Sequence, residues 1–280
     1  MSYLSLFQHA LKACEAFSNR HNVKSDIFFI LSDVFSIDRA SYLLRQHEKI
    51  QDESLIVRFQ EQLSLYKRGY PLAYLLGYQD FGDHRYFCEE GVLIPRPETM
   101  VLIEVAIEYI QNVQKKPQFV LECGCGTGII SLECALKFPE LQFLAFDIDL
   151  RAVELAKKNA KYLNVNNVRF YKADFFDLDF QKYLNNDILL LSNPPYVSTE
   201  EWVELDENIR RYEAETAFVS GSLGMDHLNQ LFRLSQQFSW QGIFEISFRH
   251  ADLIKKNYSH LNCKFFKDLE GIERFVSLNF

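Results

Sequence analysis

Neither proline nor glycine occurs in the first 68 residues of this 280-residue chain. Without those breakers the stretch has no strong signal for tight turns, and a compact set of helices is expected there. Basic charge is also short. Thirty Lys and Arg stand against 38 Asp and Glu, giving a net charge of −8 and a pI near 5.4. Chains that bind nucleic acid usually show a basic patch. The pairs Lys115-Lys116, Lys157-Lys158 and Lys255-Lys256 are too short for one and read as solvated helix faces. Cysteines number six, and Cys123 and Cys125 are too close for a CxxC pair, with no His-x-Cys cluster beside them. That argues against a zinc or disulfide framework and for reduced thiols. No stretch reaches the roughly 18 apolar residues of a membrane span. Met1 to Cys14, with His9 and Lys12, is too polar for a signal sequence. A soluble, cytoplasmic protein with no metal, no membrane contact and no direct nucleic-acid contact is expected.

Core-forming residues are plentiful. Hydrophobic residues make up 48% of the chain, with 25 Phe, so a sizeable core is within reach. In residues 1–76 apolar positions recur at helical spacing: Leu4, Phe7, Ala10, Leu11, Cys14 and Phe17 form one stripe. Further helices are expected at Ile27 to Val34, Ile37 to Arg45 and Asp52 to Tyr66. Residues 77–97 change character, with Gly77, Gly82, Gly91, Pro95 and Pro97 around the aromatic runs Tyr78 to Phe81 and Arg85 to Cys88. They read as a linker carrying a small β-hairpin. Thr99 is expected to cap a helix running through Val101, Leu102, Val105, Ala106, Tyr109 and Ile110.

From Gln118 onward strands and helices alternate, which predicts an α/β domain over 98–280 with a mostly parallel sheet covered on both faces. Strands are expected at Gln118 to Glu122, Gln142 to Asp147, Val168 to Lys172, Asp187 to Leu191 and Gly242 to Ser247. Helices are expected at Ile129 to Phe138, Leu150 to Leu163, His227 to Phe238 and Ala251 to Tyr258. Cys263 to Asp268 and Arg274 to Leu278, joined across Gly271, predict a closing antiparallel pair.

Chemistry concentrates at the strand ends. Ile188 to Ser192 runs into Asn193-Pro194-Pro195-Tyr196. Two prolines end the strand and stiffen the loop. Asn193 then lies at a carboxyl strand end, where open α/β sheets bind ligands. Such an Asn beside a ring can hold a flat amide or amino group; a plain Pro-Pro turn with a capping Asn fits the same residues. Glu122-Cys123-Gly124-Cys125-Gly126-Thr127-Gly128 joins the first sheet strand to its helix, and alternate glycines allow close backbone approach to a ligand. No Gly-Lys-Ser/Thr follows, and Ile129 stands where a dinucleotide loop has glycine. A zwitterionic, phosphate-free ligand such as S-adenosylmethionine suits what remains. Asp147 at the next strand end could accept from ribose hydroxyls. Asp174 could accept from an adenine amino group and Phe175 could cover the ring. Helix caps for the two aspartates and a core place for Phe175 are the plainer alternatives.

With these elements in register, the chain resembles the class I S-adenosylmethionine methyltransferases that modify planar nitrogen. More closely it resembles the PrmC/HemK family, which methylates the glutamine amide of peptide-chain release factors. Val92-Leu93-Ile94-Pro95-Arg96-Pro97-Glu98-Thr99 is specific to that family, and Arg68-Gly69-x-Pro71, Arg211-Tyr212-Glu213, Glu245-Ile246 and Asp268-x-x-Gly271 are similar to its other strings. Glu122, Met100, Ala214 and Ser247 depart from its usual Asp, Glu, Pro and Gly. The resemblance implies a Rossmann-like methyltransferase sheet behind a small N-terminal helical bundle, which would bind the substrate. It implies S-adenosylmethionine as methyl donor, S-adenosylhomocysteine as product, and class 1 release factors as partner, with the glutamine of their GGQ motif methylated at N5. A monomer is expected.

Carried onto this chain, the family mechanism has the Asn193 side-chain carbonyl and the Pro194 backbone carbonyl accept the two N–H groups of the substrate amide. Tyr196 would stack on the amide plane, and Pro195 would keep the loop rigid. Glu122, Gly124, Cys125, Gly126, Thr127, Gly128, Asp147, Asp174, Phe175 and Asn193 would hold the cofactor. The rivals are an N6-adenine or other nucleic-acid amino methyltransferase, whose loops also orient exocyclic amines, and a non-catalytic binding protein that keeps the fold.

Overall fold

The computed structural model describes residues 1–14, 22–181 and 187–279; Phe17 of the first predicted stripe lies outside them. The chain forms two compact units, Met1–Tyr78 and Gln79–Phe280.

The first unit is helical: α1 Tyr3–Cys14, α2 Val23–Phe35, α3 Arg39–Arg45, α4 Glu53–Lys67 and α5 Leu72–Leu76. Most of the predicted stripes become its core, with Ile27, Ile30, Leu31 and Phe59 fully buried, but Leu4 of the first stripe stays outside the cluster and Leu6 joins it. Asp38 and Asp52 cap α3 and α4 through the amides of Ser41 and Ser54. The Tyr66 hydroxyl donates to Asp26 at 2.6 Å and ties α4 to α2.

The hairpin of β1 Tyr78–Phe81 and β2 His84–Phe87 follows, and all of it after Tyr78 belongs to the second unit. Sequence placed this hairpin in a linker, yet its Phe81 and Tyr86 belong to the core of the larger unit. The buried Asn159 accepts from the Phe87 amide at 2.7 Å, and donates to the Phe87 carbonyl and, at 2.9 Å, to the Thr127 carbonyl. The hairpin is therefore bonded to the residue that props the glycine loop.

The remaining elements are α6 Thr99–Asn112, β3 Phe119–Cys123, α7 Ile129–Lys137, β4 Gln142–Asp147, α8 Leu150–Tyr162, β5 Val168–Lys172, β6 Ile188–Ser192, α9 Thr199–Glu204, α10 Glu207–Tyr212, α11 Asp226–Phe238, β7 Gln241–Glu245, α12 His250–Asn257, β8 Asn262–Lys267 and β9 Glu273–Asn279. The sheet order is β5-β4-β3-β6-β7-β9-β8. Pairing is parallel except at β9, which is antiparallel to both neighbours. Successive residues point to opposite faces. Leu189 and Leu191 accordingly join one core cluster while Leu190 joins the other. Sequence foresaw the closing antiparallel pair, but not that β9 would slot between β7 and β8. It also passed over α9 and α10. Neither helix buries a residue, so neither has an apolar stripe to find; the Ser198/Glu201 capping box is the signal that marks α9.

The order of connection reverses at β3, which has β4 on one side and β6 on the other. Open α/β sheets bind ligands in the crevice at such a switch point, at the carboxyl ends of the strands. The glycine loop leaves β3 there, and the Asn193 loop leaves β6.

Candidate active site

The glycine loop is shaped by its backbone. The amides of Gly124 and Cys125 both donate to the Phe146 carbonyl, at 2.9 and 3.0 Å, pinning the loop to β4. Gly124 and Gly126 have φ of 73° and 52°, a region that disfavours side chains. A Cβ added to either would meet nothing within 4 Å. The backbone there borders open space, as a ligand cradle does. Gly128, at φ 85°, differs: its Cβ would press on Ala156, Leu132 and Phe170 at 3.1–3.2 Å. It serves the turn into α7 and its packing.

Beside the loop lies a cavity of about 320 Å³, within the size range of small-ligand sites. It gathers Gly124, Gly126, Asp147, Asp174, Phe175, Asn193, Pro194 and Pro195 of the expected site. Four aspartates line it, Asp147, Asp149, Asp174 and Asp177, and no lysine or arginine among the described residues does. Such a wall repels phosphate and favours a cationic ligand. A smaller cavity of about 40 Å³ is lined by Glu122, Cys125 and Thr127 together with Gly124, Gly126 and Asn193. Gly128 and Tyr196 line neither cavity.

Individual groups have several tasks at once. Asp147 accepts from the amides of Gly126 and Asp149, both at 2.9 Å; burial raises its pKa against those bonds. Asp174 lines the cavity and also caps the turn Phe175–Asp177, accepting from Phe176 N at 3.0 Å. Phe175 is both wall and core: it meets Phe146 edge-on at 5.6 Å and Phe180 at 5.0 Å. Glu122 is fully buried, and burial pushes its pKa up to about 8. Its Oε2 accepts from the amide and hydroxyl of Ser131, and its Oε1 has no partner. Burial likewise pushes the Cys125 thiol well up, which keeps it protonated.

Sequence reasoning missed several wall residues. Phe176, His227 and Gln230 line the cavity, and the rings of Phe176 and His227 lie 5.8 Å apart. Burial lowers the His227 pKa, and Nδ1 is 2.7 Å from Ser220 Oγ. None belongs to a string that sequence alone singles out. The link between two family strings is also visible. Arg96 Nη2 donates to the buried Glu213 carboxylate at 2.6 Å, and the Ile94 amide donates to its other oxygen at 3.3 Å. This clamp joins the segments that supply Leu93 and Ala214 to the cavity wall.

The Asn193 loop is held by side chains from elsewhere. Thr99 was expected to cap α6. Instead Glu98 occupies the cap position, with no side-chain cap bond, and the Thr99 hydroxyl donates to Glu245 Oε2 at 3.0 Å. Asn193 Nδ2 donates to Thr99 Oγ1 at 3.2 Å, and the Tyr196 hydroxyl donates to Glu245 Oε1 at 3.2 Å. Ser192 Oγ donates to the Cys123 carbonyl at 2.7 Å and joins the ends of β3 and β6. Gly224 fits under the loop so closely that a Cβ would lie 2.3 Å from the Tyr196 carbonyl.

Residues 6–77 match the model of the PrmC N-terminal domain, and residues 114–232 match that of a methyltransferase domain. A protein of Enterococcus faecalis named release factor glutamine methyltransferase is 32% identical, over 85% of this chain and 86% of its own length. One of the same name from Rhodopirellula baltica is 33% identical over 84% and 82%, and one from Francisella tularensis 30% over 90% and 89%. Among solved structures, the human Mettl16 catalytic domain, in complex with a MAT2A 3′UTR hairpin, superposes with a TM-score of 0.52 at 15% identity, over 91% of each chain. At that identity the likeness is one of fold. Identity above 30% along most of both sequences places the chain in the release factor glutamine methyltransferase family.

Proposed function

We propose that this chain methylates the side-chain amide nitrogen, N5, of the glutamine in the GGQ motif of class 1 peptide-chain release factors, using S-adenosylmethionine. The observation that carries the reading is the place of Asn193. It borders the acid-lined cavity and the small cavity beside Glu122 and the glycine loop, and it opens the tetrapeptide that would hold the substrate amide, so one residue stands between the cofactor's place and the substrate's.

The residues fit that cofactor. Open space beside Gly124 and Gly126 leaves room against the backbone. Asp147 and Asp174 offer acceptors along the wall, and Phe175 an apolar face. Glu122, whose buried Oε1 has no hydrogen-bond partner, lines the small cavity, and an ammonium group placed there would give that oxygen one. When bound, S-adenosylmethionine supplies an electrophilic methyl on a sulfonium.

An amide nitrogen is a poor nucleophile, since its lone pair is shared with the carbonyl. The chain's part is orientation. Asn193 Oδ1 and the Pro194 carbonyl accept the two amide N–H groups and aim the nitrogen along the methyl–sulfur axis. The two prolines keep that pair rigid. Tyr196 does not line the cofactor cavity, which leaves its ring for the incoming amide plane. Positioning of this order can lower a barrier by roughly 7–11 kcal/mol.

The test is mass spectrometry of release factor incubated with this protein and S-adenosylmethionine. A 14-dalton gain confined to the GGQ glutamine (roughly one CH₂, a methyl for a hydrogen) is expected. Label from the cofactor entering only RNA or DNA would overturn the reading.

A further inference from the structure

We propose that Glu245 is a positioning residue for methyl transfer, setting through Thr99 which face of the Asn193 amide meets the substrate; this rests on the function proposed above. Glu245 ends β7 and is buried, with 2% of its surface exposed. It touches neither cavity. Its two oxygens reach the two ends of the Asn193 loop by different routes: Oε2 through the Thr99 hydroxyl to Asn193, and Oε1 directly to the Tyr196 hydroxyl.

The direction of each bond decides the outcome. A threonine hydroxyl has one proton and two lone pairs. An ionised Glu245 can only accept, so it takes the Thr99 proton. Thr99 then has only lone pairs to offer Asn193, and Asn193 must turn its NH₂ toward them. The Oδ1 of Asn193 is thereby left for the substrate, as an acceptor for an amide N–H. A protonated Glu245 can donate to Thr99 instead. The Thr99 proton is then free to point at Asn193 and favours the flipped amide, whose NH₂ would face the NH₂ of the substrate. Two donors facing each other cannot bond.

Burial pushes the Glu245 pKa up to about 7, against the bonds from Thr99 and Tyr196. The charged groups acting on it are Glu98 beside Thr99 and Arg274 on β9, of opposite effect. Arg274 is itself engaged by Asp268 at 2.6 Å. Arg96 acts on the Tyr196 hydroxyl. The ionised form is the productive one, so kcat should rise with pH through the region of 7.

The experiment compares wild-type, Glu245→Gln, Thr99→Val and Thr99→Ser proteins in release-factor methylation, with cofactor binding measured by calorimetry. Glu245→Gln and Thr99→Val should lower kcat roughly 10–100-fold, as loss of groups behind a functional side chain commonly does. Cofactor affinity should stay within about twofold, far less than the tenfold that 1.4 kcal/mol represents. Thr99→Ser should keep near wild-type kcat, and the rise of kcat near neutral pH should vanish in Glu245→Gln. The double variant should lose no more than the worse single one, because both act along one route. Wild-type kcat in both single variants, or an unchanged pH profile in Glu245→Gln, overturns the proposal while leaving the methylation reading intact. A wild-type protein that transfers no methyl to release factor overturns the reading, and this proposal with it.

Discussion

The loops that follow β3 and β6 lie side by side at the switch point and are held by different means. The glycine loop gets its shape from its own backbone: positive φ at three glycines, two amides on the Phe146 carbonyl, and an Asn159 bond to Thr127. The Asn193 loop gets its orientation from side chains distant in sequence, Thr99 and Glu245, and from the close approach of Gly224. The nucleoside-bordering role proposed for the first loop needs room, and glycine supplies room locally. A loop that must present one acceptor in one direction needs its amide fixed, and only neighbours can fix an amide.

Breaking each loop at its reactive or binding atom gives the largest contrast. Asn193→Ala should reduce kcat by roughly 10²–10³-fold, the loss typical when a positioned polar group is removed from a reacting centre. Calorimetry should still show cofactor binding to that variant; methylation near the wild-type rate would contradict the assigned role. Asp147→Ala should do the reverse, weakening cofactor affinity by roughly 10–100-fold, in line with the loss of charge-assisted hydrogen bonds. Unchanged calorimetric binding would remove Asp147 from the ribose assignment.

Alanine at Gly128 of the glycine loop, and at Gly224 beneath the Asn193 loop, sharpens the same contrast at smaller cost. At Gly224 the new Cβ meets backbone, the Tyr196 carbonyl, at 2.3 Å. At Gly128 it meets side chains at 3.1–3.2 Å. Both positions have positive φ, so each should lose about 1–3 kcal/mol of stability. Kinetically they should part: Gly224→Ala should lower kcat, and Gly128→Ala should mainly raise the KM for cofactor. Equal effects on both constants would show that the two loops move as one.

The remaining effect is read in stability against pH rather than in kcat or KM. Glu122 is raised from 4.5 to about 8 by burial, so the folded chain keeps a proton that the unfolded chain releases. Its contribution is full below pH 4.5 and is lost as pH climbs toward 8, at up to about 1.4 kcal/mol per pH unit. Glu122→Gln should flatten that slope in denaturant melts between pH 5 and 8. An unaltered slope would mean that Glu122 is ionised in the folded state.

Legibility in the sequence follows the same division. Elements with a clear pattern were readable: strands β4 and β5 have the bounds expected from the sequence, and most of the stripes of α1, α2 and α4 became the helical core. The glycine loop and the Asn193 tetrapeptide could be singled out because their residue types are rare together, and the structure brings both to the switch point of the sheet. What stayed hidden depends on long separations. Thr99 looks like a helix cap because it precedes an apolar helical run, yet its hydroxyl is spent on Glu245, 146 positions later. The hairpin looks like a linker because glycine and proline crowd it, although Tyr86 is fully buried and bonded to Glu133 at 2.7 Å. Turn residues mark where a chain bends and say nothing of what the bend packs against.

The place of β9 has a consequence for how the protein is made. A ribosome delivers β7 and β8 before the strand that must lie between them, so the nascent chain holds two unpaired strand edges until Glu273–Asn279 arrives. Phe275 of β9 is in register with Glu245 of β7. The carboxylate bonded to Thr99 and Tyr196 thus sits on a strand whose neighbour, β9, follows it in the chain. A chain that stopped short of β9 would carry both signature loops without the strand that pairs with β7 beside this carboxylate.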